Sequence, residues 1–263
     1  MAIITLTTDW GLKDFYVGAF KGLIISNCPG ATIIDISNEI PSFDILKASF
    51  VLKNSYNNFP KGTIHLVDIN KWHERNTDLS FIAAEKNGSY FIGRDNGLFS
   101  LTFESFPETV VRITDDIEED QHSLNIRDLY VKVIYHIFQG KSLDELGNKK
   151  SNWFEMKNMQ PLTDKNVLIG SIIYIDSYGN AITNITRNLF NEVGKGRQYK
   201  IIFKREGYYD IDKISKNYHD IETGDRLALF NSSDYLEIAI NEGNASSLID
   251  LKYNETIRVE FFN

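Results

Sequence analysis

The sequence contains few cysteines and few prolines. Among its 263 residues it has one cysteine, Cys28, and five prolines. A single thiol excludes an intrachain disulfide and a cysteine-rich metal site. Cys28 directly precedes Pro29-Gly30, and we predict a buried apolar side chain there rather than a nucleophile, since a lone cysteine usually behaves as a small hydrophobic residue.

Long hydrophobic runs and an excess of positive charge are also missing. No apolar run reaches membrane-spanning length, and the amino terminus lacks a basic stretch followed by an apolar one. Lysine and arginine number 28 against 36 aspartates and glutamates, so the net charge is -8. This balance argues against nucleic acid and suits a cationic small substrate. We therefore expect a cytoplasmic protein without nucleic-acid or membrane partners.

The composition predicts a packed protein, with 42% hydrophobic and 24% charged residues. Strand and helix patterns alternate in the first half, which predicts an α/β domain with a mostly parallel, Rossmann-like sheet over 1–155. The periodic signal stops at the predicted linker, 156–166. Residues 167–263 predict an all-β domain, a small antiparallel barrel or sandwich. Its strands are expected at 167–175, 181–185, 199–203, 208–211, 226–230, 236–240 and 257–261.

Two predicted strands of the first half end in carboxylates. The strand at 3–7 is followed by Asp9, and the strand at 62–68 ends at Asp68. A βαβ crossover places such ends at the carboxyl edge of the sheet, where open α/β folds bind ligands. Asp9 there has two interpretations. It accepts the two hydroxyls of a ribose diol, or it caps the helix or the turn.

Two helices are predicted near this edge. The first begins at about Asp14, and its buried face is predicted to contain Phe15, Ala19, Phe20 and Leu23. The second spans about 44–55, with Ser42 or Asp44 as its N-cap. Phe43 precedes the second helix, where its ring is either a hydrophobic staple or a surface that stacks on a ligand.

A five-residue segment in the second half combines three ligand-binding side chains. Asp176 can hold an ammonium group, Tyr178 can cover a flat heterocycle, and Asn180 offers a donor and an acceptor to a purine edge. The competing interpretation is a simple hairpin turn at Ser177–Asn180. Two further polar turns, at 231–234 and 241–246, expose backbone amides that suit a carboxylate and a purine edge, although ordinary β-turns have the same composition.

Eight short motifs occur in an order that resembles one family, the S-adenosylmethionine hydroxide adenosyltransferases, which are relatives of the fluorinase and chlorinase. The resemblance covers nearly the whole chain. The motifs are Thr7–Gly11, Tyr16–Gly18 with Lys21-Gly22, Ile34–Ser37, Phe59–Thr63, Asp95–Leu98, Ile175–Asn180, Ile182–Ile185, and Asn231-Ser232 followed by Leu236–Ala239 and Gly243–Ala245.

The resemblance implies a homotrimer, with each S-adenosylmethionine site between the N-terminal domain of one subunit and the C-terminal domain of its neighbour. It implies no cofactor and no metal, since S-adenosylmethionine is the substrate or ligand. It also implies roles for matching residues. Asp9 would bind the ribose diol, Phe43 would pack on the nucleoside, Asp176 would hold the methionine ammonium, Tyr178 would stack on adenine, Asn180 and the Ala245 backbone would read the adenine edge, and Ser232 would meet the methionine carboxylate.

The sequence departs from the family at the residues that polarise water. Asp68 and Arg75 keep the family spacing, but Ile69, Asn70 and Lys71 replace a Pro-Gly-Val. Asn125 stands where the family has histidine, and an asparagine can orient a water but cannot take its proton. His73 and His122 are possible substitutes for that histidine.

We predict a hydrolase that forms adenosine and methionine, with Asp68, Arg75 and Asn125 at the reacting water. The alternative is a non-catalytic binder of S-adenosylmethionine or adenosine that has lost the water-activating histidine. Halide attack is disfavoured, because Asp68 would place a negative charge beside the incoming anion.

Overall fold

The chain forms two compact units, Met1–Lys157 and Asn158–Asn263. A computed structural model describes residues 2–70, 80–114, 123–204 and 209–262, and for residues 123–125 it describes the backbone alone. Each unit has its own sheet and its own buried hydrophobic clusters. We refer to them as unit 1 and unit 2. Within the segment predicted as the linker, Leu162–Thr163 form a short strand.

Unit 1 begins with the predicted strand, helix, strand order. Its described elements are β1 (Ile3–Thr8), α1 (Tyr16–Asn27), β2 (Thr32–Ser37), α2 (Ile45–Lys53), β3 (Ile64–Asp68), β4 (Phe81–Lys86), β5 (Ser89–Arg94), α3 (Leu98–Thr102), β6 (Thr109–Ile113), α4 (Ser123–Phe138) and β7 (Gly147–Lys149).

The sheet of unit 1 is half parallel and half antiparallel. Its strand order is β2-β1-β3-β5-β4-β6-β7. The pairs β1–β2, β1–β3 and β3–β5 are parallel, whereas β4–β5, β4–β6 and β6–β7 are antiparallel. The prediction of a mostly parallel sheet is therefore confirmed only for the part formed by β2, β1, β3 and β5. The β4–β5 hairpin reverses the chain direction, because its two-residue turn cannot support a parallel crossover.

Helices cover both faces of this sheet. Successive residues of a strand point to opposite faces, and Leu66 and Val67 of β3 belong to different hydrophobic clusters. The cluster of Leu66 includes residues of α1 and α4. The cluster of Val67 includes residues of α2 and α3. The arrangement is an α/β/α sandwich, which leaves the ends of the central strands available for a site.

The buried face of α1 differs from the prediction. Val17, Phe20 and Ile24 are buried, whereas Phe15 is 66% exposed and Leu23 is 37% exposed. Ala19 is exposed as well. Apolar residues occur on all sides of this helix, so periodicity alone does not select a face. Packing against α4 makes the selection.

The start of α2 follows its sequence signal. Asp44 is the N-cap residue, and its Oδ1 accepts a hydrogen bond from the backbone N–H of Lys47 at 2.9 Å. This bond satisfies one of the amide groups that a helix leaves unpaired in its first turn. The predicted N-cap at Asp44 is confirmed.

Unit 2 is built mainly from short antiparallel strands. Its described elements are β8 (Leu162–Thr163), β9 (Val167–Ile175), β10 (Ala181–Thr186), α5 (Arg187–Gly194), β11 (Gln198–Ile202), β12 (Ile214–Ser215), β13 (Arg226–Phe230), β14 (Tyr235–Ile240), α6 (Ala245–Leu248) and β15 (Thr256–Phe262). The strand order is β11-β15-β9-β10-β14-β13-β12, and β8 pairs with β9.

The all-β prediction for unit 2 needs three corrections, the first of which is the short helix α6 after β14. The helix α5 packs against the sheet through Phe190, which contacts Tyr199 and Phe261, and the pair β12–β13 is parallel. The sequence signal for α5 is weak because the helix has only eight residues. The predicted strands from 226 and from 236 are confirmed as β13 and within β14.

The structure also tests the predictions for Cys28 and for membrane-spanning segments. Cys28 is buried, and burial raises the pKa of its thiol. This agrees with the prediction of an apolar rather than a nucleophilic role. In the described ranges no helix has the length and hydropathy to cross a membrane.

Candidate active site

The carboxylates Asp9 and Asp68 are neighbours at the carboxyl edge of the unit 1 sheet. The parallel strands β1 and β3 pair Thr8 with Asp68. Asp9 follows Thr8, and its backbone N–H donates to the carbonyl oxygen of Asp68 at 3.3 Å. The sheet register therefore places two acidic side chains where an open α/β fold binds ligands.

The Asp9 carboxylate fastens two loops. Its Oδ2 accepts the backbone N–H of Phe43 at 2.9 Å, and the backbone N–H of Asn70 is shared between Oδ2 at 3.2 Å and Oδ1 at 3.3 Å. Burial raises the pKa of the Asp9 carboxyl and the charge of Asp68 adds to the rise, while the two N–H donors counteract it. Phe15, not Asp9, is the N-cap residue of α1. Asp9 thus holds turns together, and its Oδ1 retains capacity for a further donor.

The backbone of Phe43 has a positive φ of 68°. Such a conformation costs a non-glycine residue about 1–3 kcal/mol, and it occurs often at ligand clamps. The N–H bond to Asp9 holds the residue in place. The Phe43 side chain is 53% exposed, which does not fit a hydrophobic staple, since a staple buries its ring against the helix.

Three side-chain donors surround the Asp68 carboxylate. Oδ1 accepts Nε of Arg94 at 2.9 Å and the hydroxyl of Tyr130 at 2.7 Å. Oδ2 accepts Nε1 of Trp10 at 2.9 Å. Asp68, Arg94 and Tyr130 are all buried. The position of Asp68 at the end of a strand predicts none of these three side-chain donors, which together fix the orientation of its carboxylate.

The turn after β9 brings Asp176 and Asn180 together in unit 2. Asp176 Oδ1 accepts the backbone N–H groups of Tyr178 and Asn180, each at 2.9 Å. Asp176 Oδ2 accepts Nδ2 of Asn180 at 3.1 Å. The hairpin interpretation of this segment is therefore correct as a description of the backbone. It does not exclude a ligand, because the turn leaves Tyr178 77% exposed.

The same turn packs on the start of α6. The backbone N–H of Ser246 donates to the carbonyl oxygen of Gly179 at 2.8 Å. Asn244 is the N-cap of α6, and its side chain accepts the Ser247 N–H at 2.8 Å. This contact places Ala245 close to the turn of Tyr178. Four predicted ligand residues of unit 2 thus lie in one region.

The turn that contains Ser232 is tied to a buried glutamate. Asn231 Oδ1 accepts the backbone N–H of Ser233 at 3.0 Å, and Asn231 Nδ2 donates to Oε2 of Glu237 at 3.2 Å. The hydroxyl of Tyr218 donates to Oε1 of Glu237 at 2.6 Å. Asn231 thereby links the turn that contains Ser232 to an acidic group in the core of unit 2.

Glu237 is a candidate that motif spacing does not single out. Its carboxyl is 2% exposed. Burial raises its pKa and the charge of Asp176 raises it further, while Tyr218 and Asn231 counteract the rise as donors. Burial also raises the pKa of Tyr218, with Glu237 as the next cause. The available sequence signal was an acidic residue within an otherwise apolar strand, Leu236–Ile240.

Two family models match most of the chain. The SAM hydroxide adenosyltransferase N-terminal domain matches residues 4–147, and the C-terminal domain of the same family matches residues 170–258. The chain belongs to this family. The resemblance found from the ordered motifs is therefore confirmed.

Relatives of two activities match this family member along nearly its whole length. It is 32% identical to the (R)-S-adenosyl-L-methionine hydrolase of Methanocaldococcus jannaschii, with 98% of this chain and 95% of the relative covered. It is 24% identical to the fluorinase of Nocardia brasiliensis, with 98% and 96% covered. A crystal structure of an uncharacterized conserved protein from Thermotoga maritima matches with a TM-score of 0.84 and 28% identity, covering 98% of this chain and 99% of that one.

Several positions that the family resemblance emphasises fall outside the structure's description. Arg75, His73 and His122 lie outside the described residues, and of Asn125 only the backbone, within α4, is described. In the described ranges no group of three or more His, Cys, Asp and Glu side chains is placed to hold a metal ion.

The Asp95–Leu98 motif of the family has a structural role in unit 1. Asp95 Oδ2 pairs with Nζ of Lys150 at 2.8 Å, and its Oδ1 accepts the Phe154 N–H at 2.8 Å. Asn96 Nδ2 donates to the carbonyl oxygen of Ile69 at 3.3 Å. The motif therefore contacts Ile69, the residue directly after Asp68.

Proposed function

We propose that the protein hydrolyses S-adenosyl-L-methionine to adenosine and L-methionine. The curated relative with 32% identity over 98% of this chain bears the name of that hydrolase. The observation that carries the proposal is the pair of adjacent carboxylates, Asp9 and Asp68, at the ligand-binding edge of unit 1. A substrate with a sulfonium and an ammonium group suits acidic surroundings.

The reaction balances without a cofactor. The oxygen of water forms a bond to C5′ of the ribose, the bond from C5′ to sulfur breaks, and the sulfur keeps the electron pair. Methionine leaves as a neutral thioether because the sulfonium already carries the positive charge. The water loses a proton to solvent or to a neighbouring base. Asp68, Arg75 and Asn125 are the residues that we propose for orienting the water.

The binding roles follow from the chemistry of each side chain. Asp9 Oδ1, which shares the Asn70 N–H, has a further lone pair for a ribose hydroxyl, and the exposed rings of Phe43 and Tyr178 offer flat apolar surfaces. For unit 2 we propose Asp176 for the methionine ammonium, Asn180 and the Ala245 backbone for the adenine edge, and Ser232 for the methionine carboxylate. Glu237 adds negative charge on the ammonium side.

We also propose that the protein forms a homotrimer and is located in the cytoplasm. In a trimer of this family type, the residues from unit 1 and those from unit 2 around one ligand would come from different subunits. The exposed apolar residues Phe15, Leu23 and Ile25 next to and on α1 offer a surface for such association.

Product analysis in isotopically labelled water tests the proposed reaction. The purified protein is incubated with S-adenosylmethionine in ¹⁸O-water. The products are separated by chromatography, and their masses are measured by mass spectrometry. We expect methionine together with adenosine that carries one heavy oxygen, since water attacks at C5′. Asp68→Asn should slow product formation about 100-fold or more. The matched control, Asp144→Asn, changes an acid in a surface ion pair with Lys149 and should not affect the rate.

The non-catalytic alternative gives a different result in the same assay. It predicts no adenosine above the rate without protein, together with a rise in melting temperature when S-adenosylmethionine or adenosine is added. Adenosine with unlabelled oxygen would contradict attack by water at C5′.

A further inference from the structure

Arg94 and Tyr130 surround Asp68 in a way that the family motifs do not specify. The arginine expected beside Asp68 from chain spacing is Arg75. The structure places Arg94, from the neighbouring parallel strand, beside Asp68. Because β3 and β5 pair Val67 with Gly93, the next residues, Asp68 and Arg94, reach the same sheet edge side by side. Their ion pair measures 2.9 Å.

The cluster also has a defined charge balance. Asp9 and Asp68 are adjacent acids, and burial together with the negative charge of Asp68 raises the pKa of Asp9. Arg94 supplies a buried positive charge to both. Burial tends to lower the pKa of the Arg94 guanidinium, but the charges of its neighbours, Asp68 and Asp9 among them, raise it overall. Arg94 therefore stays charged, and the guanidinium carbon lies 5.1 Å from the centroid of the Phe81 ring.

Tyr130 completes the arrangement as a hydrogen-bond donor. Its side chain is fully buried, and burial raises the pKa of its hydroxyl well above the ordinary value, with the charge of Asp68 as the next cause. The hydroxyl therefore keeps its proton and donates it to Asp68 Oδ1. Two strong donors on Oδ1 fix the plane of the carboxylate. In the described part of the chain, Trp10 is the donor to Oδ2, and a carboxylate oxygen accepts about two hydrogen bonds.

We propose that Arg94 and Tyr130 are positioning residues for the reaction, which hold the Asp68 carboxylate oriented so that Oδ2 presents its remaining lone pair to the attacking water. The inference rests on the proposed function. Neither residue touches the substrate in this scheme. Both act through Asp68, and Trp10 limits Oδ2 to a single further partner.

Kinetics of three variants test this role. Arg94→Met and Tyr130→Phe remove the two donors to Oδ1 with little change in side-chain volume, and Arg94→Lys restores the charge without the Nε geometry. We expect Arg94→Met to lower kcat about 100-fold and Tyr130→Phe about tenfold, with KM and adenosine affinity within about threefold of the parent protein. Arg94→Lys should recover part of the loss. The control, Lys149→Met, removes a surface cation and should leave kcat unchanged.

Loss of the fold is distinguished by a second variant. Arg94→Met leaves a buried carboxylate without its cation, which destabilises a protein strongly. The double variant Arg94→Met with Asp68→Asn removes both charges, so it should melt closer to the parent and still turn over slowly. If the double variant melts like the parent and regains the parent kcat, Asp68 and its donors do not act on the water and the proposal is wrong.

A measurement that needs no turnover separates this inference from the proposed function. The chain has three tryptophans, and the Trp10 indole resonance in a ¹H–¹⁵N spectrum is assigned by its loss in Trp10→Phe. Because this N–H donates to Asp68, the resonance should move in Arg94→Met and Tyr130→Phe and return part of the way in Arg94→Lys. Lys149→Met should leave it in place.

The outcomes are distinct. If the parent protein forms no adenosine, the proposed function fails, and the Trp10 resonance alone decides whether Arg94 and Tyr130 position Asp68. An unmoved resonance in both variants overturns the inference. If the parent is active, kcat values within about twofold of the parent in folded Arg94→Met and Tyr130→Phe overturn it as well.

Discussion

Three buried ionisable side chains, Asp68, Glu237 and His65, differ in how completely their polar atoms are paired. Asp68 accepts three side-chain donors and Glu237 accepts two. His65 has one bond, between its Nδ1 and the Thr5 hydroxyl at 2.7 Å, and its Nε2 has no partner in the described part of the chain. From these differences we predict that His65 affects the stability of the fold and that Glu237 affects ligand binding.

His65 should make unit 1 sensitive to acid. Its ring stacks on Phe91 with centroids 4.8 Å apart, and burial lowers its pKa from 6.5 to about 4. Below about pH 6.5 the unfolded chain binds a proton that the folded chain does not. Stability is therefore lost as the pH falls through this window, by about 2–3 kcal/mol between about pH 7.5 and pH 4.5.

Urea denaturation at the two pH values, followed by a probe in unit 1, measures this loss. His65→Gln, which cannot titrate, should show a loss smaller by that amount. His219→Gln changes an exposed histidine and should behave as the parent does. Equal losses in the parent and His65→Gln would contradict the prediction.

Glu237→Gln should weaken the binding of S-adenosylmethionine more than that of adenosine. The substitution keeps the shape but removes a negative charge that acts together with Asp176. Adenosine lacks the ammonium group that this charge would attract. We expect about a tenfold higher Kd for S-adenosylmethionine and little change for adenosine, measured by calorimetry. An equal loss for both ligands would indicate a disturbed turn at Ser232 instead.

The conformation of the turn after β9 depends on close packing between Gly179 and Asn244. Gly179 has a φ of +84°, and a Cβ at this position would lie 2.1 Å from Oδ1 of Asn244. Gly196 has a similar φ of +74°, but no atom lies within 4 Å of its added Cβ. The two glycines therefore form a matched pair in unit 2. One combines backbone strain with a collision, and the other has strain alone.

Gly179→Ala should destabilise unit 2 more than Gly196→Ala. We expect about 1 kcal/mol for Gly196→Ala from the unfavourable φ, and about 1–3 kcal/mol more for Gly179→Ala because Asn244 must move. Urea midpoints of the two variants provide the comparison. Gly179→Ala should also reduce the adenosine-induced rise in melting temperature, since Tyr178 and Ala245 flank the contact. Similar midpoints would mean that α6 moves at little cost.

Short apolar runs bounded by turn residues were the most predictable elements. The strands β9, β10, β13 and β14 are runs of this kind, and the ends of β1 and β3 identify Asp9 and Asp68. The predicted buried face of α1 was right for Phe20 but wrong for Phe15, Ala19 and Leu23, because apolar residues surround the helix. Glu237 and Arg94 were not singled out because their partners, Tyr218 and Asp68, are distant in sequence, and pairing of this kind depends on strand register.

On the scale of the whole molecule, the two units have separate cores and separate sets of proposed ligand residues. Asp9, Phe43 and Asp68 belong to unit 1, whereas Asp176, Tyr178, Asn180, Ser232 and Ala245 belong to unit 2. If the proposed trimer forms and each site draws on two subunits, a chain defective in one set can be complemented by a chain defective in the other.

Mixed trimers of Asp9→Asn and Asp176→Asn chains test this arrangement. Each variant alone should have low activity. Co-expression of equal amounts should restore about one quarter of the sites. A functional site needs an intact unit 1, from an Asp176→Asn chain, and an intact unit 2, from a neighbouring Asp9→Asn chain. Light scattering should give the mass of three chains. A mass of one chain, or no recovery on mixing, would contradict a shared site.

The bond from the Phe43 amide to Asp9 has a consequence for observing the ligand. A diol that engages both carboxylate oxygens of Asp9 competes at Oδ2 with the N–H groups of Phe43 and Asn70. Occupancy by a ribose should therefore lengthen the bond to Phe43 and relax its left-handed backbone. Amide hydrogen exchange at this single residue would then act as a local gauge of nucleoside occupancy, readable without following the chemistry at C5′.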